Sequence, residues 1–298
     1  MGNIAVIGAG KWGQALHSAI MHTNPKALIT SRTKKDIPNF TTLENALECE
    51  YLIIAIPAQS IREWLKTNFT YNNQKVLVAA KGIEAETGAF LQDIYEEFVP
   101  KENLGFISGP SFAAEVIQAL PTALVINSYS KQFYENFAPF FPPYMKTYYS
   151  NDVLGAEITG AYKNVLAIAS GICEGLGLGN NARASLIARG LVEMQRFANA
   201  FGEVQDDTFF GLSGAGDLFL TASSTMSRNY RVGLGLAKGK SLETILEELG
   251  EVAEGVKTSE AVHKLSLEKN IYTPIANEVY LILRGKSPKD SLKDLLSN

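Results

Sequence analysis

The sequence predicts an α/β protein in two parts: a doubly wound, mostly parallel sheet, then an all-helical half. Up to about residue 150, short β-branched apolar runs alternate with helical patterns. Beyond that point the texture changes to long segments with apolar residues at i, i+3, i+4 spacing. A glycine-rich turn also joins the first strand directly to the first helix.

The strands are expected over 3–7, 27–30, 51–56, 75–79, 104–107, 122–127 and 145–149. Several are apolar almost throughout, as a sheet covered by helices on both faces requires. In the second half Leu186, Ile187, Leu191, Met194, Phe197 and Phe201 share one helical face, with Asn180 or Asn181 as the cap and Gly202 as the stop. Further helices are expected over 241–249, 257–269, 274–284 and 288–296. The domain boundary, 1–150 against 151–298, rests on the change of period alone.

Composition limits the function classes. The chain has 298 residues, 46% apolar and 19% charged, which suits two domains at roughly 150 residues each. A net charge of −4 supplies no global positive field for nucleic acid, so no nucleic-acid partner is expected. Cys49 and Cys173 stand far apart without CxxC or Cys/His spacing, which indicates neither a disulfide framework nor a metal site. No signal peptide is read at the N-terminus, and no apolar run reaches the ~18 residues of a membrane span. A cytoplasmic location and no membrane partner are therefore expected. His17, His22 and His263 fall on helical patterns outside the motifs and read as packing or surface residues.

The first motif is a phosphate-binding turn. Ile4-Ala5-Val6-Ile7 runs into Gly8-Ala9-Gly10-Lys11-Trp12-Gly13 and then into a helical pattern. Gly8 permits the tight turn, Gly10 lets the backbone approach a pyrophosphate, and Gly13 allows close packing of helix on strand. This makes residues 1–150 a Rossmann-like dinucleotide-binding domain, with Gly8, Gly10, Lys11, Trp12 and Gly13 at the cofactor. The alternative is a glycine-rich turn without a ligand. At the end of the second strand, where an acid would hold the ribose 2′-OH of NAD, the chain reads Thr30-Ser31-Arg32-Thr33-Lys34-Lys35. A hydroxyl and three cations there suit an adenosine 2′-phosphate, so NADP(H) is the expected preference and NAD(H) a possible substitute, with Ser31 and Arg32 as contacts. A solvated basic turn is the competing reading.

The second motif is a lone lysine, Lys163, in the long apolar and small-residue stretch Gly155 to Gly171. On a helix its neighbours are Thr159, Gly160, Ala167 and Ser170, small enough for close approach by a backbone or a ligand. Burial would lower the amine's pKa toward neutrality and fit it for proton exchange. An exposed lysine on a surface helix is the alternative.

Gly160-Ala161-Tyr162-Lys163-Asn164-Val165-Leu166-Ala167 through Gly171, with Glu174-Gly175, Gly177 and Gly179-Asn180-Asn181, resembles the signature of NAD(P)-dependent glycerol-3-phosphate dehydrogenases. Other pieces match in the same order: Lys81-Gly82-Ile83, Ser108-Gly109-Pro110-Ser111-Phe112-Ala113, Asn181-Ala182-Arg183-Ala184, Gly214-Ala215-Gly216-Asp217-Leu218, Ser227-Arg228-Asn229 and Val252-Ala253-Glu254-Gly255. Together they span nearly the whole chain. Tyr162 departs from the family, which more often has an aliphatic residue there.

The resemblance implies interconversion of sn-glycerol 3-phosphate and dihydroxyacetone phosphate, in the bacterial manner, feeding glycerophospholipid synthesis, by a homodimer. Lys163 suits the general acid/base, Asp217 the carboxylate that orients it, and Thr221 lies one helical turn further on. Lys81, just past the fourth strand, suits binding the substrate and polarising its oxygen. Ser227-Arg228-Asn229 offers a cation and neutral donors for the substrate phosphate, although Ser227 is as readily a helix cap, Asp217 another cap and Lys81 a surface cation. By resemblance Asn164, Gly109 and Ser111 also belong with the substrate, and Lys81, Ala113, Arg228, Val252 and Glu254 with the dinucleotide. A β-hydroxyacid dehydrogenase and a non-catalytic NADP-binding regulator are the rival readings. The segments 179–183 and 227–229 favour the phosphate substrate over the first.

Overall fold

The computed structural model describes residues 2–297, which separate into two compact units. The first comprises residues 1–81 and 91–156, the second residues 82–90 and 157–298.

All seven expected strands form, with ends shifted by one or two residues: β1 (Ile4–Ile7), β2 (Leu28–Thr30), β3 (Tyr51–Ile54), β4 (Lys75–Val78), β5 (Leu104–Ser108), β6 (Thr122–Ser128) and β7 (Met145–Ser150). They make one sheet in the order β2-β1-β3-β4-β5-β6-β7. Every pairing is parallel except β5 with β6. Helices α1 (Lys11–Met21), α2 (Leu43–Leu47), α3 (Ala58–Asn68), α4 (Leu91–Glu96), α5 (Ala113–Ile117) and α6 (Lys131–Phe137) provide the crossovers. β1, β3 and β4 are buried almost completely, as strands covered on both faces must be. The order reverses at β1, which sends β2 to one side and β3 to the other; crevices at the carboxyl ends of strands at such a point are where α/β sheets bind ligands.

The second unit holds α7 (Val153–Gly175) from Glu157 onward, α8 (Gly179–Asn199), α9 (Asp206–Phe210), α10 (Asp217–Thr221), α11 (Arg228–Ala237), α12 (Leu242–Leu249), α13 (Glu254–Glu268), α14 (Pro274–Leu283) and α15 (Pro288–Ser297). α7 is its centre. From Ile158 to Cys173 every residue is buried, so the helix is enclosed on all sides rather than amphipathic. Gly171 and Gly233 let α7 and α11 meet backbone to backbone. A Cβ on either would lie 2.1 Å from a carbonyl oxygen of the other helix, Tyr230 O and Ile168 O.

Residues 82–90, between β4 and α4, pack with this helical unit. Phe90 sets its ring edge-on to Phe201 at 5.1 Å, and the Lys264 ammonium donates to the Glu86 carbonyl at 2.9 Å. A cut made on periodicity alone does not register so short an excursion of the chain.

Helix α8 differs from its expected form. It begins at Gly179 after Leu178, with no side-chain cap; Asn180 lies in the first turn and its side-chain oxygen accepts from Arg183 at 2.9 Å. Gly177 and Gly179 both have positive φ, in the turn that leads into the helix. It ends at Asn199, before Gly202. Met194 and Phe197 are buried, whereas Leu186, Ile187 and Leu191 are only half-buried. Among the described residues no helix is long and apolar enough to cross a membrane.

His17 ties α1 to Ala27, the residue just before β2. It is buried, and its Nε2 lies 3.0 Å from the Ala27 carbonyl. A carbonyl only accepts, so that nitrogen carries the proton. Burial lowers the imidazole's pKa below the usual histidine value of about 6.5, and the carbonyl bond offsets part of that. The native protein thus stays neutral at His17 where the unfolded chain takes up a proton, so this group's contribution is intact above pH ~6.5 and falls as the pH drops below it. We expect wild type to lose more stability than His17→Gln between about pH 7 and pH 5 in urea titrations. Parallel pH profiles would remove the histidine from the account.

Candidate active site

The glycine turn takes the form its three glycines require. Gly8 has φ +109°, and a Cβ there would press on the Ala55 carbonyl. At Gly13 a Cβ would fall 1.8 Å from the Gly8 carbonyl oxygen, so α1 rests directly on the turn. Gly10 is different. Its φ of −71° suits any residue, and a Cβ there would meet nothing within 4 Å. Neither backbone strain nor a protein neighbour calls for glycine at 10, whereas close approach by a dinucleotide does. α1 has no acidic residue and no side-chain cap in its first turn, so its N–H groups and positive dipole end face an incoming anion unopposed. The turn fits a pyrophosphate. Lys11 opens the helix and is exposed, and the Trp12 indole N–H donates to the Ala79 carbonyl at 3.2 Å.

The end of β2 adjoins this turn through a Gly8 N–H to Thr30 carbonyl bond of 2.9 Å. Arg32 and Lys34 are exposed there. The Ser31 hydroxyl donates to the Thr33 carbonyl at 2.8 Å, so its proton serves its own turn. Lys35 reaches back and donates to the Ala9 carbonyl at 2.7 Å.

Also in the first unit, Lys81 and Ser111 converge on one oxygen. The Gly109 carbonyl lies 3.2 Å from the Ser111 hydroxyl and 3.5 Å from the Lys81 ammonium. Gly109 has φ +105°, and Ala113 is the first residue of α5.

In the second unit Lys163 is 7% exposed, which excludes a surface lysine. Its ammonium contacts the Asp217 carboxylate and donates to the Thr221 hydroxyl at 3.0 Å. Asp217 and Thr221 stand at i and i+4 on α10, hence on one face. Immediately before them Leu212–Gly216 forms a π-turn, closed by the Gly216 N–H to Gly211 carbonyl bond at 3.0 Å. A π-turn widens the helix by one residue and re-aims the side chains of the next turn. Here it delivers a buried carboxylate to a buried amine.

Asn164, next along α7, accepts from Asn229 at 2.9 Å, and the Asn229 side-chain oxygen accepts the Gly255 N–H at 3.0 Å. Asn229 thereby joins the lysine helix to the start of α13. Ser227 is the N-cap of α11 and accepts the Tyr230 N–H at 3.3 Å. A hydroxyl that accepts can still donate its proton. The Arg228 guanidinium lies 3.5 Å from the Glu251 carboxylate. Val252 is exposed, and Glu254 opens α13.

Sequence reasoning missed one feature beside Lys163. The buried Tyr162 hydroxyl donates to Glu193 at 2.8 Å, and the same carboxylate accepts the Ile275 and Ala276 N–H groups, at 2.9 and 2.8 Å, at the start of α14. Burial pushes the Glu193 carboxyl up, against the pull of its donors. Burial and that carboxylate hold the tyrosine hydroxyl well above its ordinary value. Tyr162 is therefore a locked donor and no proton source for the neighbouring lysine. Only its departure from the family pattern marks the pair in the sequence.

A turn shaped for a pyrophosphate at a sheet's switch point, in one chain with a helical unit that buries a lysine on a carboxylate, is the equipment of a dinucleotide-dependent dehydrogenase. The family descriptions narrow that class. Residues 19–134 match the N-terminus, and residues 152–293 the C-terminus, of NAD-dependent glycerol-3-phosphate dehydrogenase. The chain is 62% identical over 298 residues to glycerol-3-phosphate dehydrogenase [NAD(P)+] of Sulfurimonas denitrificans, covering 100% of each. It is 59% identical to the like-named protein of Campylobacter jejuni, covering 98% of each. The crystal structure of glycerol-3-phosphate dehydrogenase from Coxiella burnetii superposes with a TM-score of 0.91 at 30% identity, over 100% of this chain and 99% of that one. The chain belongs to the NAD-dependent glycerol-3-phosphate dehydrogenase family.

Tyr162→Phe removes one of three donors to a buried carboxylate, a bond worth about 1.5–3 kcal/mol. Chemical denaturation should register a loss of that order. A variant as stable as wild type would show that the hydroxyl does not help hold Glu193.

Proposed function

We propose that the protein interconverts sn-glycerol 3-phosphate and dihydroxyacetone phosphate with NAD(P)(H), using Lys163 as general acid/base. The observation that carries this reading is the buried ammonium held between Asp217 and Thr221. Reduction of the ketone leaves negative charge on the C2 oxygen, which needs a proton; oxidation needs a base for the C2 hydroxyl. An amine poised beside C2 serves both directions. When bound, the nicotinamide supplies or accepts the hydride at C2.

Asp217 stabilises the ammonium form, so Lys163 enters reduction as the acid and returns from it as an amine that solvent reprotonates. Thr221 fixes the direction of the amine. Lys81 polarises the substrate oxygen, and Gly109 and Ser111 line the substrate on the same side as Lys81. Arg228 takes the substrate phosphate, with Ser227 and Asn229 around it, and exchanges its Glu251 partner for that stronger anion. Asn164 acts through Asn229. Gly8, Gly10, Lys11, Trp12, Gly13, Lys81, Ala113, Arg228, Val252 and Glu254 hold the dinucleotide.

The same reading makes the protein a cytoplasmic homodimer that supplies glycerol 3-phosphate for glycerophospholipids, with residues 1–150 binding the dinucleotide and 151–298 the substrate. It also assigns a preference for NADP(H) to the basic turn after β2, with Arg32 as the main 2′-phosphate contact. That turn offers cations where an NAD-selective site carries an acid.

Lys163→Ala should lower kcat for NADPH oxidation with dihydroxyacetone phosphate by at least ~10²-fold, while cofactor affinity stays near wild type. An unchanged rate would end the proton-transfer assignment. For cofactor choice, Arg32→Ala should raise the KM for NADPH several-fold and leave that for NADH unaltered. Equal values for wild type and variant with both cofactors would return Arg32 to the solvated surface.

A further inference from the structure

We propose that Lys35 is a second, tethered cation for the adenosine 2′-phosphate and so a determinant of cofactor choice. The inference rests on the dinucleotide-binding reading above and names a residue that the glycine motif does not.

The local geometry separates Lys35 from the other polar groups of its turn. β1 and β2 lie side by side, with Ile7 in register with Thr30, and the Gly8 N–H to Thr30 carbonyl bond extends the pairing past both strand ends. The ribose of a dinucleotide whose pyrophosphate sits on the turn belongs at the end of β2. Ser31 spends its proton on Thr33. Lys35, four residues further on, sends its ammonium back across the gap to the Ala9 carbonyl. The charge is thereby held where the end of β2 meets the glycine turn.

That arrangement has two physical consequences. A free lysine gives up side-chain entropy on fixing a phosphate, and one already held by a carbonyl gives up less. The Ala9 carbonyl also accepts from the Gln14 side chain at 2.9 Å. It is thus covered by two donors, and its negative end is turned to protein rather than to an arriving anion. An ammonium has three donors, so a lysine bound to a carbonyl can take a phosphate oxygen as well. The ring of a nicotinamide plays no part in this contact, so the adenosine half alone tests it.

The test is calorimetric titration of the full chain with ADP and with 2′,5′-ADP, for wild type, Lys35→Met, Lys35→Arg and Arg32→Ala. Thermal unfolding of each unliganded variant confirms that it is folded. Lys35→Met should weaken 2′,5′-ADP about 10-fold or more, the worth of one charge-assisted hydrogen bond. ADP should stay within about 2-fold, and Lys35→Arg should recover most of the loss. A flatter salt dependence for 2′,5′-ADP in Lys35→Met should accompany the loss.

Equal weakening of both ligands would overturn the inference by showing that Lys35 serves the glycine turn. No change with either would overturn it as well. If wild type itself fails to favour 2′,5′-ADP over ADP, the NADP(H) preference falls first and takes Lys35 with it. If wild type favours 2′,5′-ADP and Arg32→Ala loses that advantage while Lys35→Met keeps it, only the Lys35 assignment falls.

Discussion

The second unit depends on keeping a buried ammonium paired. Taking a lysine out of water costs several kcal/mol unless a counter-charge and further hydrogen bonds replace the hydration. Lys163 sits on a helix enclosed from Ile158 to Cys173, so its partners have to come from another element. Asp217 and Thr221 come from α10, and the π-turn over Leu212–Gly216 sets the angle at which they arrive. The pair is thus a requirement of the fold. Removing one partner would strand a buried charge, and the amine would then have no fixed direction.

Many polar residues that the sequence singles out serve the protein's own backbone first. Ser227 caps α11, Asn229 holds the start of α13, and Ser31 closes its own turn. Buried polar atoms need partners whether or not a ligand is present. A residue engaged in this way still shapes a binding site, because it fixes the elements that carry the contacting groups. Asn229 fixes two such elements at once, the lysine helix through Asn164 and the segment containing Val252 and Glu254 through Gly255.

Two kinds of group are available for negative charge. The glycine turn relies on backbone N–H groups and a helix end, which are fixed by the fold and do not titrate. The cations proposed for phosphates are side chains instead, the exposed Arg32 and the half-buried Arg228, the latter paired with Glu251. Fixed dipoles give a site that is ready before ligand arrives, while exposed cations add attraction that salt screens. Cofactor binding by the turn is accordingly expected to be the less salt-sensitive part of recognition.

The seven strands, the helical second half, the glycine turn and the lone lysine were all legible in the amino-acid order, because each depends on local period or on a contiguous motif. Gly8 and Gly13 have the roles their spacing implies. The start of α8, the excursion of residues 82–90 and the short helices between Asp206 and Ala237 were not legible. Glycine turns and short segments carry too little periodicity, and contacts such as Phe90 with Phe201 join residues remote in sequence. The sequence alone determined that a lysine would stand among apolar neighbours and that a carboxylate would come after a glycine-rich turn. Only the tertiary structure decided that the two meet, that Tyr162 is locked onto Glu193, and that Lys35 returns to Ala9. Those outcomes depend on how separate elements pack, and one-dimensional spacing does not encode the angle of that packing.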